Sequence, residues 1–217
     1  MTPAEREAVF ARLAERIVPR TELSWETPLD LLVAVVLSAQ STDRAVNRIT
    51  ARLWESCRTP SDYLALGEER LAEHFRSIGL FRNKARAVIG ICRLLLERHG
   101  GAVPSRREDL EALPGVGHKT ASVVLNVVFG QPTVAVDTHV FRVAHRLGLA
   151  RARSPAETEE QLLRVVPAAY RRDAHHYLIL HGRYTCTARR PRCPECPLAD
   201  LCTYRRKTAA PAAAPST

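Results

Sequence analysis

Leu113-Pro114-Gly115-Val116-Gly117-His118-Lys119-Thr120 stands between two stretches that read as helices. Upstream, Ser105 and Glu108 have the spacing of a capping box, and Leu110 and Leu113 follow as apolar positions. Downstream, residues 118–129 keep helical apolar spacing and stop at Gly130. Pro114 and the two glycines predict a tight turn whose backbone is open to approach. The N–H groups of Gly115, Val116 and Gly117, with the helix start at His118, then form an anion site of the kind that holds a DNA phosphate. A lone Pro-Gly-x-Gly is a weak signal. Between two helices it predicts a helix-hairpin-helix, against the plainer alternative of a glycine-capped αα-turn.

Outward from the hairpin, helix signals dominate. Thr2-Pro3-Ala4-Glu5 predicts a capping box with proline in the first helical turn, followed by Val9, Leu13 and Ile17 at helical spacing. Thr27-Pro28 opens a helix that is apolar on all sides through Leu37. Its valines would also suit a buried strand, but the cap, the proline and the length favour a central helix. Further helices are expected at Ala45–Leu53, from Thr59-Pro60 to Gly67, up to Gly79, over Ala85–Leu96, from Asp137 or Thr138 to Leu147, after a capping box at Ser154 and Glu157, and over Arg172–His181. No Asn-Gly hairpin signal and no sustained alternation is present. The sequence predicts an all-α protein of roughly ten helices with no internal repeat, and a disordered Ala/Pro/Ser/Thr tail over 208–217.

The chain has 217 residues and a formal charge of +9, a balance that suits an anionic partner, nucleic acid or membrane surface. Lysine occurs only at 84, 119 and 207, so 29 of the 32 basic residues are arginine. A coding bias toward arginine would explain that scarcity; it still draws attention to each lysine, since arginine could have supplied charge alone. Lys119 falls in the first turn of a helix, where the dipole disfavours a cation. A surface lysine is the plain reading. The functional one is a nucleophilic amine, since arginine cannot form an imine. Asp137, within Val134-Ala135-Val136-Asp137-Thr138-His139, predicts a helix N-cap. The same carboxylate can stabilise positive charge developing on a sugar.

Cys186, Cys193, Cys196 and Cys202 have the spacing C-x6-C-x2-C-x5-C. Four thiolates within 17 residues can surround one metal centre, zinc or an iron–sulfur cluster. Cys57 and Cys92 fall on apolar helical faces and read as packed thiols. Between Arg183 and Lys207 lie seven basic and two acidic residues, a net of +5. Arg189, Arg190 and Arg192 sit in the longest inter-cysteine loop, where a pinned backbone would aim them at phosphates rather than leave them as a solvated face. The first twenty residues contain Glu5, Glu7 and Glu15 and no apolar signal region, and the apolar run 31–37 is too short to span a bilayer. A cytoplasmic monomer with no membrane association is expected.

The hairpin, the Asp137 segment and the cysteine tail, in this order and spacing, resemble the endonuclease III family of base-excision glycosylase/AP lyases. The likeness takes in Leu37-Ser38-Ala39-Gln40 and Ile78-Gly79-Leu80 as well. It implies a two-lobed helix-hairpin-helix DNA glycosylase fold with DNA bound in the cleft. One lobe of six helices would cover 22–130; the other, 1–21 plus 131–207, would hold a [4Fe-4S] cluster on the four cysteines. It implies Lys119 as nucleophile, Asp137 as catalytic carboxylate, and Gln40 and Leu80 as fillers of the gap left by a flipped base. The substrate implied is double-stranded DNA with oxidised pyrimidines or abasic sites. His118 departs from the arginine or lysine common at that place. Two rivals stand beside this reading. An adenine-mismatch glycosylase shares the fold and cluster but usually lacks the lysine. A non-catalytic DNA-binding module would have no use for Lys119 with Asp137. Leu80 also has a plainer reading, a core leucine after a helix-ending glycine.

Overall fold

The structure, a computed structural model, describes residues 1–209, so the expected tail lies outside the described residues from position 210 onward. Among the described residues there are no strands. The α-helices run α1 (Pro3–Ala14), α2 (Pro28–Ser38), α3 (Asp43–Leu53), α4 (Pro60–Leu66), α5 (Glu68–His74), α6 (Phe81–His99), α7 (Arg107–Glu111), α8 (His118–Val127), α9 (Thr138–Leu147), α10 (Pro155–Val165) and α11 (Ala174–Tyr184). Short 3₁₀ turns lie at Ala168–Tyr170 and Cys193–Glu195. None of these helices is long and apolar enough to cross a membrane.

The chain divides into two compact units, one over 21–131 and one joining 1–20 to the described residues from 132 onward. In the first unit α2 is the centre. Thr27 and Asp30 close a reciprocal capping box, Pro28 fills the first turn, and Leu29 through Leu37 are all buried. Helices α3, α6 and α8 pack around it, so its valines face side chains on every side and no partner strand is available. Each aliphatic side chain buried this way contributes about 1.5–3 kcal/mol. In the second unit Val9, Phe10 and Leu13 of α1 share a core with Val140, Val143, Ala144 and Leu147 of α9 and Leu178 of α11. Gly182 is what lets α11 lie so close to α9: a Cβ there would stand 3.0 Å from the His139 Cβ.

Local expectations differ in places. No capping box forms at Ser105 and Glu108: α7 begins one residue later, with Arg106 at the cap and no side-chain bond to it. The Ser154 box is half made. Ser154 accepts the Glu157 N–H, but the Glu157 carboxylate turns to the Arg153 N–H at 2.9 Å. The helix expected to reach Gly79 stops at His74, and α11 begins and ends later than the expected Arg172–His181.

Candidate active site and cluster segment

The hairpin between α7 and α8 is held from both sides. Leu110, Leu113 and Val116 are buried below it, and the Val116 N–H closes the turn onto the Leu113 carbonyl at 3.1 Å. Gly115 has φ +74°, and a Cβ there would meet the Ala87 Cβ of α6 at 2.9 Å, so both conformation and space demand glycine. Gly90 of α6, which sequence reasoning passed over, has a matching role: a Cβ on it would come within 3.0 Å of the Pro114 ring. Gly117 is the cap of α8 and makes no side-chain bond to the first turn, leaving those N–H groups to a ligand.

Across the hairpin, Arg107 donates to Glu111 at 3.2 Å and to the Ser122 hydroxyl at 3.1 Å. The His118 Nδ1 lies 3.2 Å from the Arg107 guanidinium and 3.1 Å from the Glu111 carboxylate. Nδ1 can accept from arginine or donate to glutamate, not both, so the partner follows whether Nδ1 carries a hydrogen. Lys119, next along α8, is exposed.

Asp137 caps α9 as expected. Its Oδ1 accepts the His139 N–H at 2.8 Å and the Val140 N–H at 2.7 Å, and neither bond uses Oδ2. Lys119 and Asp137 belong to different units.

Gln40 and Leu80 are the only non-glycine residues with positive φ among the described residues, at 55° and 56°. Left-handed backbone at such residues is unfavourable by about 1–3 kcal/mol each. Leu80 is 54% exposed, which excludes the core reading, and Gln40 is exposed as well. Lys84 is the opposite case. It is 5% exposed, its Nζ donates to the Ser41 hydroxyl at 3.0 Å, and burial pushes its ammonium below the ordinary value.

Cys186, Cys193, Cys196 and Cys202 line one pocket. They surround it without converging: no three His, Cys, Asp or Glu side chains among the described residues are grouped to hold a single ion. Four thiols around one pocket are the donor set of a Cys₄-held iron–sulfur cluster. Burial pushes the Cys196 and Cys202 thiols up, so thiolate ligation there depends on the charge of the iron. Two arginines of α9 hold this segment. Arg142 donates to the carbonyls of Cys186 (3.0 Å) and Gly182 (2.8 Å). Arg146 donates to Thr187 O at 2.7 Å, Ala188 O at 2.9 Å and the Cys186 sulfur at 3.4 Å. Nothing in the sequence spacing marked either arginine. Arg189, Arg190 and Arg192 are exposed on the loop they anchor. Cys57 and Cys92 are buried elsewhere, at 2% and 0% exposure.

Residues 33–168 match the family described as HhH-GPD superfamily base excision DNA repair protein, and residues 186–202 match the iron-sulfur binding domain of endonuclease III. The chain is 52% identical over 208 residues to endonuclease III of Escherichia coli (strain K12), covering 95% of this chain and 99% of that protein. It is 55% identical over 196 residues to endonuclease III of Treponema pallidum (strain Nichols), covering 90% and 93%. A solved structure of a trapped endonuclease III–DNA covalent intermediate superposes with a TM-score of 0.87 at 46% identity, covering 94% of this chain and 96% of that one.

Proposed function

The chain belongs to the endonuclease III family of HhH-GPD base excision DNA repair proteins, and from that premise we propose that Lys119 is the amine through which it removes oxidised pyrimidines and cleaves abasic strands. Glycosylase and AP lyase activity, DNA binding and a [4Fe-4S] cluster come with the family.

The carrying observation is the exposed Lys119 in the first turn of α8, directly behind a hairpin whose N–H groups face no capping side chain. The Val116 N–H, expected to face an anion, is taken up by the Leu113 carbonyl, so a phosphate would be held by the Gly115 and Gly117 N–H groups with the first turn of α8, which would bring the neighbouring sugar within reach of that amine. The Lys119 nitrogen attacks C1′, and the C1′–N bond to the base breaks with its electrons leaving on the base. The sugar ring opens to an imine between Lys119 and C1′. The imine acidifies the C2′ proton; its removal expels the 3′ phosphate and nicks the strand. Asp137, with Oδ1 occupied by the cap, offers Oδ2 to the positive charge that develops at C1′. That a solved relative was captured as a covalent intermediate with DNA supports an enzyme-borne nucleophile.

Cys186, Cys193, Cys196 and Cys202 would hold the cluster, whose contribution here is to fix the loop carrying Arg189, Arg190 and Arg192 against phosphates. We further assign the protein to the cytoplasm, acting as a monomer on damaged duplex DNA.

Borohydride reduction of the imine tests the central claim. Wild-type protein should give a covalent adduct on duplex carrying an abasic site, and Lys119→Arg, which keeps the charge, should give none. An adduct from Lys119→Arg would move the nucleophile elsewhere. Release of mismatched adenine faster than of an oxidised pyrimidine would overturn the substrate assignment.

A further inference from the structure

Gln40 and Leu80 are far apart in sequence, yet one residue bonds to both of their turns. Lys84 stands one helical turn into α6. Its backbone N–H donates to the Leu80 carbonyl at 3.0 Å, and its Nζ donates to the hydroxyl of Ser41, the residue after Gln40, also at 3.0 Å. The Ser41 N–H in turn closes onto the Ser38 carbonyl at the end of α2. From the geometry we infer that Lys84 is a positioning residue, which locks the Gln40 turn to the Leu80 end of α6 so that the two side chains meet DNA as one rigid pair. This rests on the role that the endonuclease III resemblance implies for Gln40 and Leu80, filling the space left by the flipped base.

Stability does not account for Lys84. Among the described residues, this ammonium at 5% exposure has a single hydroxyl as its side-chain partner and no carboxylate in an ion pair with it. A methionine of similar length would fill that space without a charge to desolvate. Nor does charge account for it, because the chain meets that need almost everywhere with arginine. A guanidinium at this place would bring five donors to one acceptor. What lysine supplies is one long, narrow strut ending in a donor. The strut holds two left-handed turns that the backbone itself disfavours, at positions whose side chains are exposed.

The test compares duplex with single-stranded DNA, since only duplex has a stacked gap to fill. Lys84→Met should melt no lower than wild type. Its release of an oxidised pyrimidine from duplex should be slowed about tenfold, the scale of losing one charge-assisted hydrogen bond, through kcat rather than KM. Borohydride-trapped adduct on single-stranded abasic DNA should stay within about twofold of wild type. Combining Lys84→Met with Leu80→Ala should be no slower on duplex than Leu80→Ala alone, because both act through one wedge. Ser41→Ala, which removes only the acceptor, should reproduce the duplex loss even if Lys84→Met folds poorly. Unchanged duplex rates in a folded Ser41→Ala, equal losses on single and double strands, or multiplied losses in the double variant would overturn the inference. If wild type itself formed no adduct, the Lys119 assignment would fail instead, and the pairing of Lys84 with Leu80 would still be read from the extent of base flipping in the bound lesion duplex, followed with a fluorescent base analogue, which both variants should reduce without adding.

Discussion

At Asp137 a single carboxylate has a structural duty on one oxygen, and the chemical role proposed for it falls on the other. Oδ1 receives two N–H groups of the first turn of α9. Asn is as good a cap as Asp, so Asp137→Asn should lose only the charge–dipole part of the cap, about 0.3–1 kcal/mol. Base release should fall by about 10²-fold or more, because the developing positive charge at C1′ loses its counter-ion. Thermal melting set beside single-turnover base release separates the two; a stability loss large enough to explain the rate would remove the catalytic role. The cap was legible in the sequence because Asp before a helical run has one local meaning. Leu80 was not. Gly79-Leu80-Phe81 reads equally well as the start of a buried stripe, and nothing in a leucine signals that its backbone will be left-handed and its side chain half in water.

For elements, the hairpin shows what pattern can and cannot reveal. Pro114, Gly115 and Gly117 between two helical periods announced the turn, and α8 begins at His118 where expected. The surface that receives the turn was hidden, because Ala87 and Gly90 lie on α6 and only folding brings them beneath Pro114 and Gly115. The Ser105 cap failed for a related reason: α7 is a short helix fixed by buried Leu110 and by the Arg107 bonds to Glu111 and Ser122, so its start follows packing rather than the best available cap. Gly115→Ala should therefore lose about 1–2 kcal/mol from the left-handed backbone alone, with the Ala87 contact adding to it. Gly117→Ala, with nothing within 4 Å of its new Cβ, should lose less. Denaturant titration of the two variants checks the order; a larger loss at Gly117 would mean the hairpin is held differently.

At the scale of the whole molecule, the all-helical architecture was legible because helical apolar spacing repeats along almost the full chain. The four cysteines were legible as a centre, but the arginines of α9 that grip their loop were not, since Arg142 and Arg146 read simply as the polar face of a helix. Purified protein should contain about four irons, as a Cys₄-held cluster requires. Cys→Ser at 186, 193, 196 or 202 should lower that count while the same change at Cys57 or Cys92 should not, and one zinc in place of iron would refute it. DNA affinity should fall steeply with salt, and alanine at Arg189, Arg190 or Arg192 should flatten the slope by roughly 1 for each phosphate lost. A slope unmoved by all three would return that loop to solvent. The near-absence of lysine then takes on a meaning of its own. A ring-opened abasic site is an aldehyde, and aldehydes condense with whatever free amine they touch. A positive surface built from lysine would be cross-linked at random while searching damaged DNA, whereas guanidinium groups attract the backbone and leave aldehydes alone. With Lys84 buried and the exposed Lys207 bonded to the Ala199 carbonyl at 2.7 Å, the coat presented to DNA is built of guanidinium, and Lys119 is one of the few amines an aldehyde could meet there.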